Sequence, residues 1–342
     1  MKSFERVEMA LDGLKPDRVP TYAAYDDGYM MAIQGKDMRD FINCSGKELA
    51  EHMERAFVRH ELDGMCVFAG HNGSWMNNHT VEKLKDYWIV TEKYTGEKYR
   101  LLPDGSKTKE DGTPIKRNLS NAGVSKIMTI ADIDREVPTP PSDREIEDSG
   151  YLLPLKHLSE KYPQKHFSFQ ITTPFVRAMN ACGGYEEGLM TMMLERNLFT
   201  GIVERYTEVE AALLDPGIKA GGKALWFTSY YTGADTISPK DYANLVFPWE
   251  KRICEMAKEK GIHVLYWFLG DLMPILDKVV ELPIDALVLE QGRKQYEVDP
   301  VEIRKQVGEK LCIFGYGLEM DYCTFNKEGL EYEFRRQFGG AG

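Results

Sequence analysis

Two carboxylates stand where they could do chemistry. Glu290 follows the apolar run Asp285–Leu289, and Glu319 lies in Gly315-Tyr316-Gly317-Leu318-Glu319, just past the run Leu311–Phe314. Acids converging from two neighbouring strand ends raise each other's pKa unless a cation sits between them, so the pair is a candidate metal site. Asp321, Cys323 or His71 would supply a further ligand. Plainer roles exist: Glu290 can cap its loop or pair with Arg293, and Glu319 can bond the backbone of its own glycine-rich turn. His71, next to Asn72, is a candidate general acid because imidazole titrates near neutral pH, or else a solvated loop histidine. Asp27, closing Tyr25-Asp26-Asp27, is the second acid–base candidate.

Aromatic residues gather around the same strand ends: Tyr25, Trp75, Tyr230, Tyr231, Trp267 and Tyr316. Large flat side chains beside a few polar groups suit a planar ligand, and they also suit ordinary packing. Gln170, Asn180 and Asn72 are candidates to hold ligand oxygens. Arg177 is placed to pair with a ligand carboxylate or with a nearby acid.

The elements that must position these residues read as repeated strand–helix units. Strand-like runs fall at Thr21–Tyr25, Gly64–Gly70, His166–Ile171, Ala224–Thr228, His263–Phe268, Asp285–Leu289 and Leu311–Phe314, with helical periodicity between them. Such units close into an α/β barrel of the TIM (β/α)8 type, whose chemistry sits at the C-terminal strand ends. Strand eight is not found after Phe338-Gly339-Gly340-Ala341-Gly342. From Trp88 to Asn118 the pattern shifts to short alternation with Gly turns, which predicts an antiparallel insertion of two or three strands in a single-domain chain of 342 residues. No G-x-G-x-x-G turn follows the first strand, which argues against a doubly wound sheet. One long helix is expected over Tyr185–Leu214.

Apolar residues make up 43% of the chain, enough for a large core. A net charge of −11 argues against nucleic-acid or anionic-membrane partners, which need a basic surface. No run approaches the ~20 apolar residues of a bilayer span. The six cysteines form no C-x-x-C pair and read as reduced core thiols of a cytoplasmic protein.

The opening Phe4-Glu5-Arg6-Val7 … Lys15-Pro16-Asp17-Arg18-Val19-Pro20 resembles the start of the uroporphyrinogen decarboxylase superfamily, which includes the corrinoid-dependent methyltransferases. The segments Ile237-Ser238-Pro239-Lys240-Asp241-Tyr242, Phe247-Pro248-Trp249 and the Gly270-Asp271 strand end extend the resemblance over nearly the whole chain. The decarboxylases carry an Arg-rich segment after strand one and an Asp at the end of strand two. Here strand one ends Tyr25-Asp26-Asp27, which would repel a polycarboxylate, and strand two ends Phe68-Ala69-Gly70-His71, with no Asp at the matching place.

Zinc-dependent methyltransferases of the group place a His and a Cys where Trp267 and Leu269 stand. The resemblance to the members that demethylate methoxylated aromatics in anaerobic bacteria implies zinc held by Glu290 and Glu319 instead. It further implies methyl transfer from a small methoxylated aromatic to the cobalamin of a separate corrinoid protein docked over the mouth, with His71 protonating the departing phenolate. Two alternatives stand beside this. One is transfer from a methyl-corrinoid to a thiol or to tetrahydrofolate, with Asp235 or Asp271 facing the pterin. The other is a non-catalytic barrel that binds a corrinoid or a small aromatic.

Overall fold

The structure is a computed structural model that describes residues 1–68, 74–115, 127, 129–290, 296–315 and 326–341. In chain order its strands are β1 (Tyr22–Ala24), β2 (Gly64–Val67), β3 (His79–Lys83), β4 (Trp88–Glu92), β5 (Lys98–Leu101) and β6 (Lys107–Thr108). Then come β7 (His166–Thr172), β8 (Ala224–Tyr230), β9 (His263–Leu269), β10 (Ala286–Leu289) and β11 (Cys312–Phe314). The main sheet has seven strands in the order β1-β2-β7-β8-β9-β10-β11, every neighbour parallel.

Helices cover one face. The helix Gly46–Arg59 shows why they form: Ser45 accepts from the Glu48 amide at 3.2 Å, and Glu48 reaches back to the Ser45 amide at 2.8 Å. This capping box opens a helix that buries Leu49, Met53, Ala56 and Phe57 on one stripe. Against such stripes pack Phe167, Phe169 and Ile171 of β7, Phe227 of β8, and Val264, Tyr266 and Phe268 of β9. The intervening residues face the other way. Cys66, Trp226, Leu265, Ala286 and Val288 form a second core, completed by Val7 and Leu11 of the helix Ser3–Leu11. Two separate cores on the two faces of one sheet mean that the sheet curls around the inner one.

The curl brings the first and last strands together: the Tyr22 and Phe314 rings meet edge-on at 5.6 Å. Gly64, the register partner of Tyr22, makes room for that ring, since a Cβ there would lie 2.3 Å from it. The barrel-type arrangement of parallel strand–helix units expected from the sequence is present, with seven strands as read and no eighth among the described residues. Among the described residues β1 and β11 form no ladder and no eighth strand joins them, so the barrel is not closed. Both edge strands are only three residues long, too short to present a full hydrogen-bonding edge.

The antiparallel insertion is a four-stranded sheet, β3-β4-β5-β6, around Trp88, Val90, Tyr99 and Leu101. It begins at His79, ahead of the expected Trp88. Residues 116–118 of that prediction lie outside the described residues. The long helix expected over Tyr185–Leu214 is broken into Tyr185–Leu194, Arg196–Ala211 and Leu214–Lys219; the first break falls at Glu195, whose backbone is non-helical (φ −124°, ψ 54°). No disulfide forms among the described cysteines. No described helix is long and apolar enough to cross a membrane.

The N-terminal strand ends carry a cluster of opposite charges. Glu8 accepts from His166 Nε2 at 3.1 Å and lies 3.7 Å from His263 Nε2, while His263 also faces Asp12 at 3.5 Å. The His263 Nδ1 contact with Asp285, at 3.3 Å, is an ion pair rather than an aligned hydrogen bond. Asp285 first and Glu8 second lift His263 to about 9. Burial pushes Glu8 up, but the two histidines outweigh it and hold the carboxyl at about 2. Burial keeps His166 below its ordinary value.

Between the ordinary histidine value of ~6.5 and about 9, His263 holds its proton only in the folded chain, so stability falls as pH rises through that window. We expect Tm to drop from pH 6.5 to pH 9, and His263→Gln to flatten that drop in thermal denaturation. An unchanged slope in the variant would remove the assignment.

Candidate active site

From the start of β1 upward toward the C-terminal strand ends, the inner face is aromatic and sparsely polar. Trp226 stacks on Tyr22 at 6.1 Å and meets the edges of Trp267 at 5.8 Å and Phe314 at 6.4 Å. Each such contact is worth about 0.5–1.5 kcal/mol beyond burial, so the four rings form a stiff floor. Trp226 is 3% exposed and its indole N–H has no partner among the described residues. Trp267 is half-buried, one layer nearer the mouth.

Polar groups flank this floor. Gln170 of β7 donates its amide to Thr228 Oγ1 of β8 at 2.8 Å. Phe68, Tyr151, Leu152 and Gln170 line a small cavity over β2 and β7. Tyr230 ends β8, half-buried, within electrostatic reach of Arg177. Glu290 directly follows Leu289 at the C-terminal end of β10.

Arg177 lies on the helix Pro174–Ala181, which starts directly after β7. Its Nε donates to Glu210 Oε1 at 2.7 Å, while Glu210 Oε2 accepts from the Thr172 amide at 3.3 Å. Glu210 is buried and Arg177 is exposed, so the carboxylate anchors the guanidinium from beneath. The Glu210 charge holds Arg177 in its cationic form. The Nη atoms donate to no described residue, leaving a two-pronged donor edge of the kind that matches a carboxylate.

The other sequence candidates fall in different places. Asp27, at the start of the helix Asp27–Ala32, is pushed up to about 6 by burial and then by Asp26, which suits acid–base work. Tyr25 turns outward: its ring stacks near Tyr29 at 5.8 Å and its hydroxyl reaches the Ala56 carbonyl at 3.4 Å, so it does not join the inner wall. Trp75 stacks on His79 at 4.6 Å beside the antiparallel sheet.

Tyr231 is exposed, 5.2 Å from Tyr230 and 5.1 Å from Tyr185, with φ at +59°. A left-handed non-glycine residue costs on the order of 1–2 kcal/mol. Asp235 is engaged by the Asp271 amide at 2.9 Å, and burial followed by Asp235 raises the Asp271 carboxyl. His71, Asn72, Tyr316 and Glu319 lie outside the described residues, as do Arg293, Asp321 and Cys323.

Sequence reasoning missed Trp226, Thr228, Phe314, Tyr151 and Glu210. The first two were open to detection, since strict alternation through Gln170 and Trp267 puts Trp226, Thr228 and Tyr230 on the same face. Glu210 also had a signal: an acid on the buried stripe Phe199, Val203, Thr207, Glu210 of its helix.

Fold and site together define a parallel α/β barrel-type protein with an aromatic cluster inside its curled sheet. The family model described as uroporphyrinogen decarboxylase (URO-D) matches residues 124–319, more than half of the chain, and the chain belongs to that family. In three dimensions it is similar to a methyltransferase from Methanosarcina mazei, with a TM-score of 0.65 over 99% of this chain and 90% of that one, at 14% identity. No curated protein matches the sequence.

Removing Arg177 would leave the Glu210 charge buried and unpaired. Arg177→Leu is expected to cost about 2 kcal/mol in urea unfolding. Adding Glu210→Gln should restore more than half of the loss. Full stability in the single variant would show that the pair does not constrain the fold.

Proposed function

We propose that the protein is a methyltransferase that moves a methyl group from a small methoxylated aromatic to the cobalamin of a separate corrinoid protein. The observation that carries this reading is the aromatic floor of Trp226 and Trp267 beside the Gln170–Thr228 pair. An apolar slot with a few aimed polar groups is how proteins orient a flat ring. The family membership and the fold shared with a methyltransferase support the reaction class.

In this reading Trp267 and Tyr230 wall the ring and fix the direction of its methoxy group. Gln170 holds a ring oxygen through the amide hydrogen that Thr228 does not use. Arg177 receives a ring carboxylate where the substrate has one. The partner's cobalamin, when docked, supplies the nucleophile, and the aryl oxygen leaves with the bonding electrons. That oxygen needs a proton, and Asp27 and His71 are the proposed donors. Zinc has one described candidate donor, Glu290. The further candidate donors, Glu319, Asp321, Cys323 and His71, lie outside the described residues; a zinc held there would supply a Lewis acid for the leaving aryl oxygen.

Mixing the protein with a cob(I)alamin-loaded corrinoid protein and 2-methoxyphenol or a methoxybenzoate should shift the cobalt spectrum to that of methyl-cob(III)alamin. Trp267→Ala should lower kcat/KM by roughly 10–100-fold through lost orientation. A spectrum that stays unshifted across mono- and dimethoxylated rings, carboxylated and neutral, would sink the proposal.

A further inference from the structure

Behind the mouth, on the helix-facing side of β8 and β9, lies a fully buried acid that the proposed reaction does not use. Glu250, on the helix Phe247–Glu259, is 0% exposed and forms no ion pair with any described Lys, Arg or His. Its partners are hydroxyls. Ser229 donates to Oε1 at 2.7 Å, Tyr266 donates to Oε2, and Tyr242 reaches Oε2 at 3.4 Å. Burial raises the Glu250 carboxyl, and the hydroxyls that bond to it, Tyr266 and Ser229 foremost, oppose the rise, so the acid sits in a hydroxyl cage.

Two backbone irregularities meet at this acid. Tyr242 begins a π-helical turn, Tyr242–Val246, that directly precedes the helix bearing Glu250. Such turns are rare and often mark functional sites. On the other side, Ser229 also bonds Thr232 at 2.7 Å, and between them sits left-handed Tyr231. Ser229 and Thr232 are both fully buried. Strain of this kind persists only where the surroundings over-determine it, and here the surroundings are the Glu250 cage. The turn so held carries Tyr230 into the mouth and Tyr231 onto its rim, against Tyr185.

We infer that Glu250 is a positioning residue: through Ser229 it locks the turn Ser229–Thr232, and so sets the tyrosine wall of the mouth. The inference rests on the mouth being the methyl-transfer site. Its chemistry is hydrogen bonding alone, and Glu250 touches no reactant. Glutamine can replace it because an amide also donates and accepts, whereas leucine cannot.

The test uses the full chain and has two arms. Without substrate, backbone-amide exchange across Ser229–Thr232 should run roughly 10-fold faster or more in Glu250→Leu. In Glu250→Gln it should stay within about 3-fold of the unaltered protein. With a methoxyarene and the cobalamin partner, Glu250→Leu should lose about 100-fold in kcat/KM, and Gln should rescue most of it. Tyr231→Ala should then cost nothing further in the Leu background, because both changes remove the same wall.

Exchange unchanged by Glu250→Leu, or fully additive effects of Glu250→Leu and Tyr231→Ala, would overturn the inference. Should Glu250→Leu fail to fold, Ser229→Ala with Thr232→Val cuts the same bonds from the strand side and is read identically. A lack of methyl transfer by the unaltered protein would sink the proposed function, and the exchange arm alone would then decide the positioning role.

Discussion

The inner face of the curled sheet has to be filled by what its own strands project into it. Alternation along each strand sends every second side chain to the helices and the rest to the interior, so one pattern builds both the outer core and the floor of the mouth. Tyr22, Trp226, Trp267 and Phe314 fill much of that interior with rings, beside Leu265 and Val288. Close-packed rings of this kind hold a fixed shape. Everything read from the site depends on this packing.

Charge is divided between the two ends of the sheet. At the N-terminal strand ends Glu8, His166, His263 and Asp285 neutralise one another around the helix Ser3–Leu11, which closes that end with Val7 and Leu11. Near the C-terminal ends the buried acids work singly, Glu210 under Arg177 and Glu250 under the β8 turn. This follows the usual pattern of barrel-type folds, with stability built at one end and chemistry at the other.

Much of the fold was legible in the sequence. All seven strands of the main sheet were visible as apolar runs between helical stretches, because parallel strands buried on both faces read as continuous hydrophobic segments. The lack of an eighth strand was legible too, but whether β1 and β11 would pair directly was not, since closure depends on long-range pairing that no local pattern reports. β3 was passed over because His79–Lys83 is largely exposed, with little apolar alternation. In the site, Gln170 and Trp267 sit on the inner face of the sheet, while Tyr25, directly after β1, turns outward because its position has the parity of Ala23. Glu210 and Glu250 were missed because an acid on an apolar helix stripe looks like a surface residue until its hydroxyl or guanidinium partners, far away in sequence, are known.

Of the five tryptophans in the chain, Trp226 and Trp267 meet edge to face inside the curled sheet. Trp226 is shut away from water and its indole N–H is unoccupied by any described group. Indole emission responds to polarity and to neighbouring rings, so the protein carries a built-in optical probe of the interior of its sheet. A change of packing there can be followed by the molecule's own light, with no label attached.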